Sequence, residues 1–152
     1  MQRLPQRLLV VEDDVSVARA LCRTLARAGF SVATARSCAD ACSLTQLFDV
    51  AILDLDLPDG NGVDLARTLL RSGQVPNVLF FTSCTDPTLL ARARCLGSIV
   101  MKSLGTSPIL AWLAAAAETP DLSDVPPSST TRSPGAPGYR VSSSSVRRSR
   151  AR

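Results

Sequence analysis

Short, wholly apolar runs of strand length recur along this chain, each followed by a segment whose apolar residues repeat at helical spacing. LLVV at Leu8–Val11, VAIL at Val50–Leu53 and VLFF at Val78–Phe81 contain no polar residue. A strand with one wet face alternates polar and apolar residues, so a run without alternation belongs in a sheet covered on both faces. Between the first two runs, VSVARALCRTLARAG places Val17, Leu21, Leu25 and Ala28 on one helical face, with arginines opposite and Gly29 as a stop. Phe30 to Ala35 reads as a further strand, Ala39 to Leu47 as a helix, and Val63 to Arg71 as a helix ending at Ser72-Gly73. Pro87 to Leu96 reads as a helix and Ile99 to Met101 as the fifth strand. Ser107 caps a last helix that has Pro108 in its first turn and runs to about Glu118. Strand and helix thus alternate five times, which specifies a parallel sheet between helical layers, the doubly wound α/β class.

A chain of 152 residues accommodates one such domain with a real core. No apolar run reaches the length needed to cross a bilayer, and acids follow LLVV where a leader would need a cleavage site, so the chain reads as soluble and cytoplasmic. Cys22, Cys38, Cys42, Cys84 and Cys95 form no CxxC pair, and no histidine is present to complete a Cys/His metal site. Small buried thiols in a reducing compartment are the favoured reading, over a redox pair at Cys38 and Cys42.

The net charge of +4 is not spread evenly. From Thr119 onward, Arg132, Arg140, Arg147, Arg148, Arg150 and Arg152 face only Asp121 and Asp124, which leaves eleven basic and eleven acidic side chains before them. Residues 119–152 are rich in Ser, Thr, Pro and Gly without periodicity, and read as a disordered tail after a folded domain of residues 1–118. The domain itself has no basic field for nucleic acid.

Ligands of doubly wound sheets bind beyond the carboxyl ends of the strands. Glu12 and Asp13 follow the first strand, Asp54 the third, Thr82 the fourth and Lys102 the fifth. If the first and third strands are neighbours, three carboxylates, a hydroxyl and an ammonium share one rim. Crowded carboxylates disfavour one another's ionisation and call for a cation. A hard divalent ion with oxygen ligands fits, and magnesium fits best because it keeps waters and is completed by a phosphoryl group. Each position also has a bland reading: Glu12, Asp13 or Asp14 as a helix cap, Thr82 as a strand-end cap, Lys102 as a solvated lysine. Lys102, however, is the only lysine beside sixteen arginines, and a compact charge on a flexible stem can follow an anion where a planar fork cannot.

With these residues in place, the chain resembles the receiver domain of two-component response regulators. Val10-Val11-Glu12-Asp13-Asp14 is similar to the family's acidic pair, Asp54-Leu55-Asp56-Leu57-Pro58 to its phosphoacceptor motif, Phe81-Thr82-Ser83 to its switch threonine and Met101-Lys102 to its lysine. The resemblance covers roughly Arg7 to Glu118. It implies a flavodoxin-like (βα)5 sandwich, a five-stranded parallel sheet of order 2-1-3-4-5. It also implies that Asp54 accepts a phosphoryl group from a histidine kinase or phosphotransfer protein, and that Mg2+ is held by Asp13, Asp54, the carbonyl of Asp56 and, directly or through water, Glu12. Thr82 and Lys102 would engage the phosphoryl group, the protein acting only on its own phosphorylation and dephosphorylation. The signal, or a homodimer, would use the face of the fourth and fifth strands and the helices after them.

Several positions depart from the family. Ile99 stands where an aromatic residue often follows the threonine's movement, which puts that part of the switch in question. Ser103 replaces a proline usually preceded by a cis bond; before serine that bond costs roughly 2.5–4 kcal/mol, which favours a trans peptide and a less well aimed Lys102. Cys95-Leu96-Gly97-Ser98 is about two residues short when Gly97 is aligned with the family's glycine, and Asp56 and Cys84 occupy positions that influence phosphoryl lifetime. No helix-turn-helix pattern follows Glu118, so the favoured reading is a receiver that signals through a protein partner or phosphorelay. The alternatives are a DNA-associated regulator whose arginine tail contacts phosphates, and a degenerate receiver that only docks.

Overall fold

The computed structural model of the chain describes residues 6–118. Five strands form its main sheet: β1 Arg7–Val11, β2 Ser31–Ala35, β3 Val50–Leu53, β4 Asn77–Thr82 and β5 Ser98–Met101. Every pairing is parallel, and the spatial order is β2-β1-β3-β4-β5. Helices α1 (Val15–Arg27), α2 (Cys38–Ser43), α3 (Gly62–Arg71), α4 (Pro87–Arg94) and α5 (Ser107–Glu118) connect and follow the strands.

Side chains alternate across a strand, so each apolar run feeds two cores. Leu8, Val10, Val50, Ile52, Leu79 and Phe81 pack with Leu21 and Leu25 of α1 and Ile109 and Leu113 of α5. Leu9, Val11, Ala51, Leu53, Val78 and Phe80 pack on the other face with Ala41 of α2, Val63, Ala66 and Leu69 of α3 and Ala93 of α4. Leu21 and Leu25 are completely enclosed, and burial on that scale stabilises by about 1.5–3 kcal/mol per side chain.

Local chemistry sets the element ends that matter for the strand-end rim. Asp14 caps α1, its Oδ1 accepting from the N–H groups of Ser16 (2.8 Å) and Val17 (3.1 Å), so of the three acids after β1 only this one takes the capping role. At the other end Gly29 adopts φ +94 and Phe30 N–H donates to Leu25 O, closing the helix. Asn61 caps α3 reciprocally with Asp64: the Asp64 N–H donates to Asn61 Oδ1, and Asn61 Nδ2 to Asp64 Oδ2.

Three sequence expectations require correction. The second helix ends at Ser43 instead of Leu47. Leu44 turns extended, and the Gln74 side-chain amide donates to the carbonyls of Leu44 (2.7 Å) and Gln46 (3.1 Å), holding the following segment open. The cap position of α5 is Thr106, whose carbonyl accepts from Leu110 N–H, while Ser107 is already helical. Of the five cysteines, all free, only Cys84 is buried; Cys42 lies beside the inward Ala41 and Cys95 at the end of α4, and both are exposed.

The short turn at Cys95–Gly97 follows from packing. A Cβ at Gly97 would lie 2.1 Å from the carbonyl oxygen of Val78, so this backbone lies directly on β4. Residues 119–152, expected to be disordered, lie outside the described residues. Among the described residues no helix is long and apolar enough to cross a membrane.

Candidate functional site

The sheet register decides which strand-end residues meet. Val11 pairs with Leu53 and Leu53 with Phe80, so β1, β3 and β4 come level at their carboxyl ends. One residue further, Asp54 N–H donates to Val11 O at 3.0 Å and Glu12 N–H to Ala35 O at 3.1 Å, carrying the ladder past the strands and setting Asp54 beside Glu12. Thr82 ends β4 opposite Met101 of β5, with Lys102 next along.

Glu12, Asp54 and Thr82, exposed by 3%, 5% and 0%, are the only buried polar side chains among the described residues. A capping or surface role does not account for their burial, because an unpaired charge in such a place is costly. Here every group is paired. Asp54 Oδ1 accepts from Thr82 Oγ1 (2.9 Å) and from the Asp56 N–H (3.2 Å), and Asp54 Oδ2 from Lys102 Nζ (2.7 Å). The same ammonium meets Glu12 Oε2 at 2.6 Å, while Glu12 Oε1 accepts from the Asp14 N–H. Thr82 Oγ1 in turn accepts from the Cys84 N–H at 3.1 Å.

The Lys102–Ser103 peptide is trans, as every peptide among the described residues is, yet Lys102 reaches both carboxylates. The expectation of a poorly aimed lysine is therefore overturned. A 3-10 turn over Lys102–Leu104 begins at the end of β5 and directs the stem inward.

Carboxylate oxygens of Glu12, Asp13 and Asp54 lie within 4.8 Å of one another, with Asp13 exposed. Three carboxylates against one ammonium leave two negative charges uncompensated, which suits a divalent ion. The donors are hard oxygens, and the exposed side at Asp13 leaves room for water ligands, as magnesium requires. The Asp56 side chain is exposed and not part of this cluster; its amide serves Asp54 instead. Ile99 lies across from Phe80 and packs on the core shared by α2, α3 and α4.

Both ends of the Glu12–Lys102 pair are shifted upward, for different reasons. Burial pushes the Glu12 carboxyl above its ordinary range, outweighing the hydrogen bonds from Lys102 and Asp14. Burial also pulls on Lys102, but hydrogen bonds to Asp54 and Glu12, and their charges, hold it above its usual value. The difference follows exposure: the carboxylate is the more deeply enclosed partner, 3% against 18%. Because the folded-state value of Glu12 exceeds the unfolded one, its contribution to stability is fully present below 4.5 and is lost as pH rises through the folded value. In chelator, Glu12→Gln is therefore expected to gain stability relative to the parent between pH 4 and pH 7, read from urea midpoints. A relative loss over that interval would show that burial does not dominate at Glu12.

One site residue escaped the sequence reading. A Cβ at Gly62 would fall 2.1 Å from Asp54 O and 2.9 Å from Asp54 C. The start of α3 therefore rests on the backbone of Asp54, and Gly62 N–H donates to Leu55 O at 2.9 Å. The signal was present in the two glycines of Asp59-Gly60-Asn61-Gly62, a few residues past the acidic strand end at Asp54.

Comparison with known proteins bears on the family and the fold. The model of the response regulator receiver domain matches residues 8–111. The swarming motility regulation protein RssB of Serratia marcescens is 38% identical over 78 residues, which span 50% of this chain and 36% of that protein. The DNA-binding response regulator MtrA of Mycobacterium tuberculosis is 36% identical over 88 residues, 57% of this chain and 38% of that protein. The chain thus spans little more than a third of the length of these curated relatives. Among solved structures, the non-phosphorylated HemR receiver domain from Leptospira biflexa superposes with TM-score 0.67 at 30% identity, covering 75% of this chain and 95% of that one. The chemotaxis response regulator CheY4 of Vibrio cholerae, at 24% identity and TM-score 0.65 over 73% of this chain and 98% of its own, shares the fold.

Proposed function

We propose, on the premise that the chain belongs to the response regulator receiver domain family of two-component systems, that Asp54 accepts a phosphoryl group from a histidine kinase or phosphotransfer protein. One observation carries the reading: a single buried carboxylate receives a hydroxyl on one oxygen and an ammonium on the other, beside two further carboxylates.

A carboxylate oxygen of Asp54 would attack the phosphorus as the bond to the donor breaks, leaving an acyl phosphate on Asp54. Charge builds on the equatorial oxygens during transfer, so positioning and neutralisation supply most of the catalysis. Glu12, Asp13 and Asp54, with the Asp56 carbonyl, would hold Mg2+. When bound, that ion supplies positive charge to the phosphoryl oxygens. Lys102, already on Asp54 Oδ2, supplies the second positive charge. Thr82 would turn its hydroxyl from Asp54 Oδ1 to a phosphoryl oxygen, drawing on the Cys84 N–H that now anchors it. Because β4 pairs directly with β5, with Thr82 opposite Met101 and Phe80 opposite Ile99, the shift has a route to the β4-α4-β5-α5 face. A protein partner or a second copy would read it there. Ile99, apolar and partly buried, takes the place of an aromatic switch residue.

In this reading residues 1–118 are the receiver and 119–152 a separate tail, the protein is cytoplasmic, and its activity is confined to its own phosphoryl group. The DNA-associated alternative depends on that tail; binding DNA belongs, by name, to the MtrA relatives. Incubation with Mg2+ and a small acyl phosphate or phosphoramidate, followed by intact mass, tests the reading. A phosphoryl adduct on the parent, absent from Asp54→Asn, is the expected result. An unmodified parent would leave a docking module, and an adduct that persists in Asp54→Asn would move the acceptor elsewhere.

A further inference from the structure

A second concavity lies on the other side of β1 from Asp54, between α1 and the carboxyl end of β2. Its volume is about 280 Å3. Val15, Ala18 and Cys22 supply an apolar wall along α1, and Thr34 of β2 adds a hydroxyl. Burial pushes the Cys22 thiol up, as expected against an apolar surface. Arg19 and Arg36, both exposed, stand at the mouth. Unlike Arg67 and Arg92, which pair with Asp64, neither has an ion-pair partner among the described residues. The most buried lining residue is Glu12, whose two oxygens already have partners in Lys102 and the Asp14 N–H.

Small-molecule sites combine a mostly apolar concavity with a few polar groups that fix orientation, and guanidinium forks recognise carboxylates bidentately. We infer that this cavity binds a small organic anion, with an apolar body against Val15, Ala18 and Cys22 and a carboxylate between Arg19 and Arg36. Two positive groups beside an apolar wall match that class, and Glu12, the one carboxylate in the lining, is engaged by Lys102 and the Asp14 N–H. Glu12 lines both this cavity and the acidic cluster, but the inference does not depend on the reading of Asp54.

The probes are 2-naphthoate and octanoate, which separate a flat aromatic body from a flexible alkyl one, titrated into the isotope-labelled full chain without Mg2+. The expected result is saturable amide shifts at Ala18, Cys22 and Thr34 for at least one acid. Affinity should be at least tenfold lower in Arg19→Ala/Arg36→Ala, and at least tenfold lower for the neutral 2-naphthalenemethanol or octanol on the parent. The comparison with neutral analogues needs no variant, so it holds even if the double substitution perturbs folding. No shifts with either acid, shifts confined to other residues, or equal affinity of the neutral analogues would overturn the inference. Binding is read without phosphorylation, so the proposal fails or stands separately from Asp54 and should persist unchanged in Asp54→Asn.

Discussion

Lys102→Ala in chelator is expected to unfold at markedly lower urea concentration than the parent, a loss of about 3 kcal/mol. The ammonium is the only cation touching Glu12 and Asp54 among the described residues, at 2.6 Å and 2.7 Å, and both carboxylates are almost wholly buried. Removing one partner of a buried pair costs far more than the pair contributes, because the remaining charge has neither water nor counter-ion. Here two charges are left facing each other. Mg2+ should then restore most of the loss, since a ligand bound only by the folded state stabilises by mass action. The dependence of stability on Mg2+ should therefore be steeper in the variant than in the parent.

The same substitution should lower the initial rate of phosphoryl uptake about a hundredfold, the usual consequence of deleting one charge-stabilising donor. Lys102→Arg separates the two roles. Its charge should recover part of the stability, but a planar fork does not fit between two carboxylates spaced for one nitrogen, so uptake should stay low. If Lys102→Ala proves as stable as the parent in chelator, the ammonium is not what balances the acidic cluster.

Much of this was legible in the sequence, for a definite reason. The strands carry uninterrupted apolar runs, and the rule that places function beyond strand ends puts Glu12, Asp13, Asp54, Thr82 and Lys102 each just past a strand, while the strand order that gathers them on one rim is what the family resemblance implies. What escaped depends on partners distant in sequence. The end of α2 is set by Gln74, thirty residues from Leu44. The small antiparallel hairpin pairing Asp56–Leu57 with Gly60–Asn61 is too short to leave a periodic pattern. The aim of Lys102 does not require the family's proline, because the turn at Lys102–Leu104 carries the ammonium to Asp54 with a trans peptide. Alternation along that hairpin leaves the Asp56 side chain in solvent, next to the buried Leu57.

Gly62→Ala is expected to lower phosphoryl uptake about a hundredfold, the scale of a misplacement of roughly 1 Å at a reacting group. The added methyl has nowhere to go. It would meet the carbonyl oxygen and carbon of Asp54 at 2.1 Å and 2.9 Å and the Leu55 Cα at 3.0 Å, all backbone atoms that cannot rotate aside. Either α3 lifts off or the backbone of Asp54 shifts. Both responses strain the hydrogen bond from Gly62 N–H to Leu55 O and the alignment of the carboxylate with Thr82 and Lys102. Stability should fall by about 1–3 kcal/mol, as for overpacking in a close-packed interior. Gly60→Ala supplies the control two residues away, since a Cβ there would meet only the Cys38 sulfur, at 3.2 Å, a side-chain atom with room to give. Gly62 lacks the positive φ that marks Gly29, Gly73 and Gly105, so the requirement is for space and not for backbone freedom. Serine should therefore fail there as alanine does. Uptake in Gly62→Ala equal to that in Gly60→Ala would mean that the contact between α3 and Asp54 does not position the acceptor.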